Sequence, residues 1–220
     1  MKPWLLVPVK PFDEAKSRLA SVLVPTERRA LMRRLLVRTL RLAAESQLFA
    51  QRLVVSRDPA VLQTARQWEA VTLVEEGAGL NQALAQGCVW AERAGADWIL
   101  ILPADLPLLT AEDLQAICAA AFTGADMVLS CSHDGGTNAM LLRLPPPIAL
   151  AFGAGSFARH EQLAAAAGRH VARVASPTLA FDVDWPKDLE MLGDGMRGNA
   201  SLTPSPLRCD VSEDGAEFLG

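Results

Sequence analysis

The chain has 220 residues, half of them hydrophobic, with 21 basic and 25 acidic side chains and a net charge of −4. That length suits a single α/β domain with a good-sized core. So small a charge argues against nucleic acid or an anionic membrane as partner, and no apolar run approaches the roughly 20 residues of a membrane span. The start, Met1-Lys2-Pro3-Trp4, leads straight into a strand and not into a signal peptide. Cys88, Cys118, Cys131 and Cys209 are scattered with no C-x-x-C pair, as reduced thiols would be. A cytoplasmic protein is expected.

Leu5 to Val9 reads as the first strand. Thr26 can cap a helix running to about Gln47, with Met32, Leu35, Leu36, Leu40 and Ala43 at helical spacing. Its six arginines, Arg28, Arg29, Arg33, Arg34, Arg38 and Arg41, read better as a solvated face than as a polyanion patch. Arg52 to Ser56 is a second strand, Asp58-Pro59 opens a helix, and Val71 to Val74 is a third strand. A helix from Asn81 to Ala94 follows the Gly77 to Gly79 loop.

Trp98-Ile99-Leu100-Ile101-Leu102 is apolar throughout, the habit of a central parallel strand buried on both faces. It ends in Pro103-Ala104-Asp105-Leu106-Pro107. Ligands of open α/β sheets collect at the carboxyl ends of strands, so Asp105 is placed to hold a metal ion. A loop or capping Asp is the plainer reading. Thr110 caps the next helix, and Met127 to Cys131 and Ala139 to Leu144 are two strands joined by a polar loop. Ser156 can cap a helix ending near Gly168, before a strand at Val171 to Val174 and a short helix from Pro186. Strands alternating with helices predict a mostly parallel mixed sheet covered on both faces. Residues 1–192 form this domain. From 193 to 220 Gly, Asn, Ser, Thr and Pro dominate, and a poorly ordered tail is expected.

Several loops can meet at the carboxyl edge of such a sheet. The first carries Lys10, Lys16 and Arg18, cations that suit phosphate, although surface lysines are the plainer account. Gly79 permits close backbone approach to a flat ligand, and Asn81 can read a base edge or cap its helix. Asp134-Gly135-Gly136-Thr137-Asn138 combines a hydroxyl and an amide on a flexible backbone, as an oxyanion ligand needs, or is a hairpin turn. Gly153-Ala154-Gly155-Ser156 leads into a helix and presents N–H groups to an anion, with His160 near enough to assist. Asp182 and Asp184 share one face of an extended segment, and Asp184 with Asp105 would make a two-carboxylate Mg²⁺ site.

Five motifs occur in order: P-V-K-P-F-D-E-A-K-S-R-L, L-P-A-D-L-P-L-L, D-G-G-T-N-A-M-L-L-R, F-G-A-G-S-F-A-R-H and D-V-D-W-P-K-D-L. From about Val7 to Leu192 the chain resembles the guanylyltransferases that act on 2-phospholactate or phosphoenolpyruvate in deazaflavin coenzyme biosynthesis. These are similar in turn to the wider GT-A-type nucleotidyltransferases, whose glycine-rich first loop is absent here.

The resemblance implies that GTP and a small phosphorylated acid give a guanosine diphospho-acid and pyrophosphate. It implies Asp105 and Asp184 as Mg²⁺ ligands and Lys16 as a catalytic cation. Lys10, Lys16, Arg18, Gly79 and Asn81 would face the nucleotide; Thr137, Gly153 and Ser156 would bind the acid. The rival readings are a nucleotidyltransferase with another acceptor (3-phosphoglycerate, a sugar phosphate or molybdopterin) and a non-catalytic nucleotide-binding protein of the same fold. Oligomeric state stays open, a homodimer included.

Overall fold

The computed structural model describes residues 2–77 and 79–192. The tail expected from 193 onward lies outside the described residues. Chain order is β1 (Trp4–Pro8), α1 (Pro25–Ser46), β2 (Gln51–Ser56), α2 (Pro59–Arg66), β3 (Val71–Val74), α3 (Leu80–Arg93) and β4 (Trp98–Ile101). After these come α4 (Ala111–Ala121), β5 (Met127–Cys131), β6 (Thr137–Arg143), α5 (Ser156–Ala166), β7 (Val171–Arg173), α6 (Pro177–Ala180) and α7 (Pro186–Met191).

The seven strands form one sheet in the order β3-β2-β1-β4-β6-β5-β7. Strand β6 runs antiparallel to both its neighbours, and every other pairing is parallel. The expected mixed, mostly parallel sheet is what forms.

Alternation along the strands sorts the core into two layers. Leu5, Val7, Leu100 and Val128 face α1, α2 and α4. Leu6, Val55, Ile99, Ile101 and Met140 face α3 and α5. In β4 all four residues are buried, because both faces are covered. Helix α3 lies close on β1 where Gly87 stands: a Cβ there would come within 2.8 Å of the Leu6 side chain.

Two expected caps are corrected. Thr26 sits inside the first turn of α1. Pro25 opens that helix, and the Glu27 carboxylate accepts the Val24 N–H at 2.9 Å. Ser156 is the first residue of α5 and not its cap; Gly155 occupies the cap in the left-handed region, and the Ser156 hydroxyl turns away to Thr137. Two caps stand as expected. Asp58 accepts the Ala60 N–H at 2.8 Å. Thr110 accepts the Asp113 N–H at 3.2 Å while Asp113 accepts the Thr110 N–H in return.

The strand expected from Ala139 begins two residues earlier, so Thr137 and Asn138 belong to β6 and not to the loop. Helix α6 has no counterpart among the expected elements: Ser176 caps it, and Ser176 and Thr178 both bond the buried Asp113.

Candidate active site

The long segment after β1 has no regular strand or long helix, yet it is tied down throughout. Phe12, Ala15 and Leu19 are buried. The Phe12 N–H donates to Asp58 at 2.9 Å, and Arg57 and Arg29 hold Glu14 and Asp13. Lys16 lies in the left-handed region, φ 56° and ψ 38°. For a non-glycine residue that conformation costs on the order of 1–3 kcal/mol. It sends the Lys16 side chain, only 4% exposed, between two carboxylates.

Lys16 Nζ donates to Asp105 Oδ2 at 2.5 Å and to Asp184 Oδ1 at 2.8 Å. The two acids come from segments 79 residues apart in sequence, joined by a backbone bond from Val183 N–H to the Asp105 carbonyl at 3.3 Å. Asp188 fixes the second segment by accepting the N–H groups of Asp184 (2.9 Å) and Trp185 (2.7 Å). Burial pulls the Lys16 ammonium down, but its attraction to Asp105 and Asp184 prevails and raises it above its ordinary value. Burial likewise pushes Asp184 up, while Lys16 and then Arg18 hold it below the ordinary carboxylate range. Asp182 is different. Burial, reinforced by the charge of Asp105, pushes its carboxyl up to about 6, against the opposing pull of His133 at 3.2 Å.

These groups open into a cleft of about 660 Å³, within the size range of small-ligand sites. Of the residues singled out from sequence, Lys10, Lys16, Gly79, Asp105, Thr137, Gly153, Ser156 and Asp184 line it. Two expected members stand back from it. The Asn81 amide is spent on the backbone of Phe152, accepting its N–H at 2.8 Å and donating to its carbonyl at 3.1 Å. Arg18 donates to Asp184 Oδ2 at 2.9 Å and lies 4.8 Å over the Trp185 ring. Asn81 and Arg18 therefore do not line the cleft in this structure.

Also on the cleft wall, Thr137 Oγ1 lies 3.0 Å from both Ser156 Oγ and His160 Nδ1. The expected anion turn is partly self-satisfied, since Ser156 N–H bonds the Gly153 carbonyl and Phe157 N–H the Gly135 carbonyl. Glu14, Arg57, Glu75 and Asp182 also line the cleft and are not among the site residues expected from sequence. Arg57 and Glu75 directly follow β2 and β3, so the rule that ligands gather at strand carboxyl ends could have found them.

Carboxylates that converge on one ammonium provide hard oxygen donors around a single cationic centre. That donor set suits Mg²⁺, which is held by one or two carboxylates together with substrate phosphates. No group of three or more acidic, His or Cys side chains with metal-ligand geometry occurs among the described residues.

Residues 4–212 match the family model described as guanylyl transferase CofC like. The chain belongs to the CofC-like guanylyl transferase family. Within it, the chain is 43% identical over 187 residues to a phosphoenolpyruvate guanylyltransferase of Sphaerobacter thermophilus, covering 85% of this chain and 90% of that one. It is 34% identical over 190 residues to the 2-phospho-L-lactate guanylyltransferase of Methanothermobacter thermautotrophicus, covering 86% and 83%. The CofC-like chain is thus a nucleotidyltransferase. Its fold is shared with a protein of Desulfovibrio desulfuricans G20 assigned as a nucleotide-diphospho-sugar transferase: TM-score 0.75, 19% identity, 91% of this chain and 90% of that one. No helix among the described residues is long and apolar enough to cross a membrane.

Proposed function

We propose that this chain joins GMP from GTP to a small phosphorylated carboxylic acid and releases pyrophosphate. Phosphoenolpyruvate is the first choice of acid and 2-phospho-L-lactate the second. The observation that carries the reading is one cleft that is lined both by an ion-paired lysine and by a pair of hydrogen-bonded hydroxyl residues. Lys16, between Asp105 and Asp184, lines the same cleft as Thr137 and Ser156. The names of the relatives agree with it.

In this reading a phosphate oxygen of the acid attacks the α-phosphorus of GTP in line. The new P–O bond forms as the bond to the β-phosphate oxygen breaks, and pyrophosphate carries that electron pair away. The attacking oxygen is already ionised at pH 7, so no general base is required. His160 could not serve as one: it is wholly buried, and both ring nitrogens are engaged. Lys16 offsets the repulsion between two anionic reactants and stabilises charge on the leaving group. Asp105 and Asp184 would hold Mg²⁺, which when bound neutralises phosphate charge and orients the triphosphate. Thr137 binds the acid, and Ser156, whose hydroxyl donates to Thr137, helps to hold it in place.

The test is mass-spectrometric identification of the product formed from GTP, Mg²⁺ and a mixture of phosphoenolpyruvate, 2-phospho-L-lactate and 3-phosphoglycerate. A guanosine diphospho-adduct of one acid, with one pyrophosphate per turnover, is the expected result. Pyrophosphate release only with a sugar phosphate would overturn the acceptor. Nucleotide binding with no turnover of any acceptor would overturn the catalytic reading.

A further inference from the structure

Where Thr137 and Ser156 line the cleft, three buried side chains form a hydrogen-bonded cluster whose direction can be deduced. His160 is 0% exposed, Ser156 1% and Thr137 7%. Ser156 and His160 lie one turn apart on α5, and Thr137 opens β6. The Ala151 N–H points at His160 Nε2 from 3.0 Å. A backbone amide nitrogen can only donate, so Nε2 must carry the lone pair. The ring proton then sits on Nδ1, whose partner at 3.0 Å is Thr137 Oγ1. A doubly protonated ring would set N–H against N–H at Ala151. Burial, with a smaller push from Arg159, also holds the imidazolium down to about 4, so the ring is neutral.

The Ser156 hydroxyl donates to the same Thr137 oxygen at 3.0 Å. That oxygen therefore accepts two hydrogen bonds, which fills its lone pairs. The Thr137 proton has no acceptor among the described residues, and Thr137 and Ser156 are both among the residues that line the cleft. We propose that His160 is a positioning residue: by donating from Nδ1 it fixes Thr137 as a donor toward an anionic group of the acceptor. The identity of that anion rests on the function proposed above; the direction of the hydrogen bonds does not.

The need for such a device follows from the loop beside it. Two of the N–H groups at the start of α5, those of Ser156 and Phe157, are already bonded to carbonyls. The helix N-terminus is thus only partly free to hold an anion, and a threonine hydroxyl free to rotate would offer it a lone pair as readily as a proton. A donor of fixed direction favours an oxyanion and disfavours a neutral or cationic group.

Two measurements on the full chain test this. A long-range ¹H–¹⁵N spectrum of the protein labelled at histidine, with His160 assigned by its loss in His160→Asn, should report the Nδ1–H tautomer at pH 7. The Nε2–H tautomer or a charged ring overturns the proposal.

The second measurement is steady-state kinetics with phosphoenolpyruvate and GTP. His160→Phe removes the donor and should raise the KM for the acid about tenfold or more, with the KM for GTP and kcat little changed. His160→Asn can donate from nearly the same place and should recover most of that loss. In a Thr137→Val background His160→Phe should add less than about twofold, since the partner it acts on is gone. Equal loss toward both substrates, or full additivity with Thr137→Val, overturns the proposal. Should His160→Phe fail to fold, the tautomer spectrum and His160→Asn still decide it. A wild-type chain that turns over no phosphorylated acid refutes the function reading, and with it the ligand assigned to Thr137. The tautomer spectrum tests the hydrogen-bond direction independently of that result.

Discussion

In the proposed reaction two groups of cleft residues would hold anions by different physics. In one, which we call the charged end, opposite formal charges meet on side chains drawn from separate loops: Lys16 at 4%, Asp105 at 23% and Asp184 at 31% exposure. In the other, the neutral end, the hydroxyl side chains of Thr137 on β6 and Ser156 on α5 are almost wholly buried. Coulomb attraction is long-ranged and tolerates small errors of geometry, so a loop strained at Lys16 suffices. A neutral hydroxyl helps an anion only if its proton points the right way, so it must be held by regular structure and by partners of known direction. In the proposed reaction the charged end would serve the triphosphate and its displacement, and the neutral end would tell one small acid from another.

The strongest way to break this division is Asp105→Asn, which keeps the side-chain shape and removes the charge. Turnover should fall by about a hundredfold or more, as when a principal electrostatic element is lost. Near-normal rates at low Mg²⁺ would mean that transfer chemistry does not depend on the charged end.

A stability measurement probes the other end. His160 is held at about 4 in the folded chain, against an ordinary value of 6.5. Below pH 6.5 the unfolded chain takes up a proton that the folded chain refuses, so stability is full above that pH and is lost as pH falls toward 4. The loss should be on the order of 3 kcal/mol. Denaturant unfolding of wild type and His160→Asn across this window should show a steeper decline in the wild type. Parallel curves would mean that the ring is not buried neutral.

Thr137→Val sharpens the comparison by removing one hydroxyl. Use of the acceptor should weaken by about 1.5–3 kcal/mol, the range for a hydrogen bond to a charged group. The KM for GTP should stay in place. The reverse pattern would assign the neutral end to the nucleotide.

The smallest effect expected is a shift in metal requirement. Asp184→Asn should raise the Mg²⁺ concentration needed for half-maximal rate several-fold. Asp182→Asn should not, because Asp182 pairs with His133 and Asn138 while Asp184 shares Lys16 with Asp105. Rate measurements across a Mg²⁺ series on both variants decide this, and matching responses would mean that the carboxylates share the role.

Much of the charged end was legible without a structure. An unbroken apolar strand ending at Pro103-Ala104-Asp105 places a carboxylate at a sheet edge by a local rule, and the Asp182-Val183-Asp184 alternation places another. Capping was less legible. Thr26 and Ser156 are both good cap residues by type. Each lost the position to a neighbour, Thr26 because Pro25 and Glu27 organise the turn and Ser156 because Gly155 adopts the left-handed conformation.

By itself the sequence determined every strand and every helix but α6 to within a few residues, since periodicity and turn residues act within a few neighbours. It also determined the order in which the motif loops occur. Only the tertiary structure decided that β6 runs antiparallel between β4 and β5, and so begins with Thr137 at the cleft. It alone decided that Asn81 is spent on Phe152, 71 residues away, and that His160 stands behind Thr137 with its proton on the side facing it. Hydrogen-bond direction depends on partners far apart in the chain, and no local pattern in the sequence records which partners will meet.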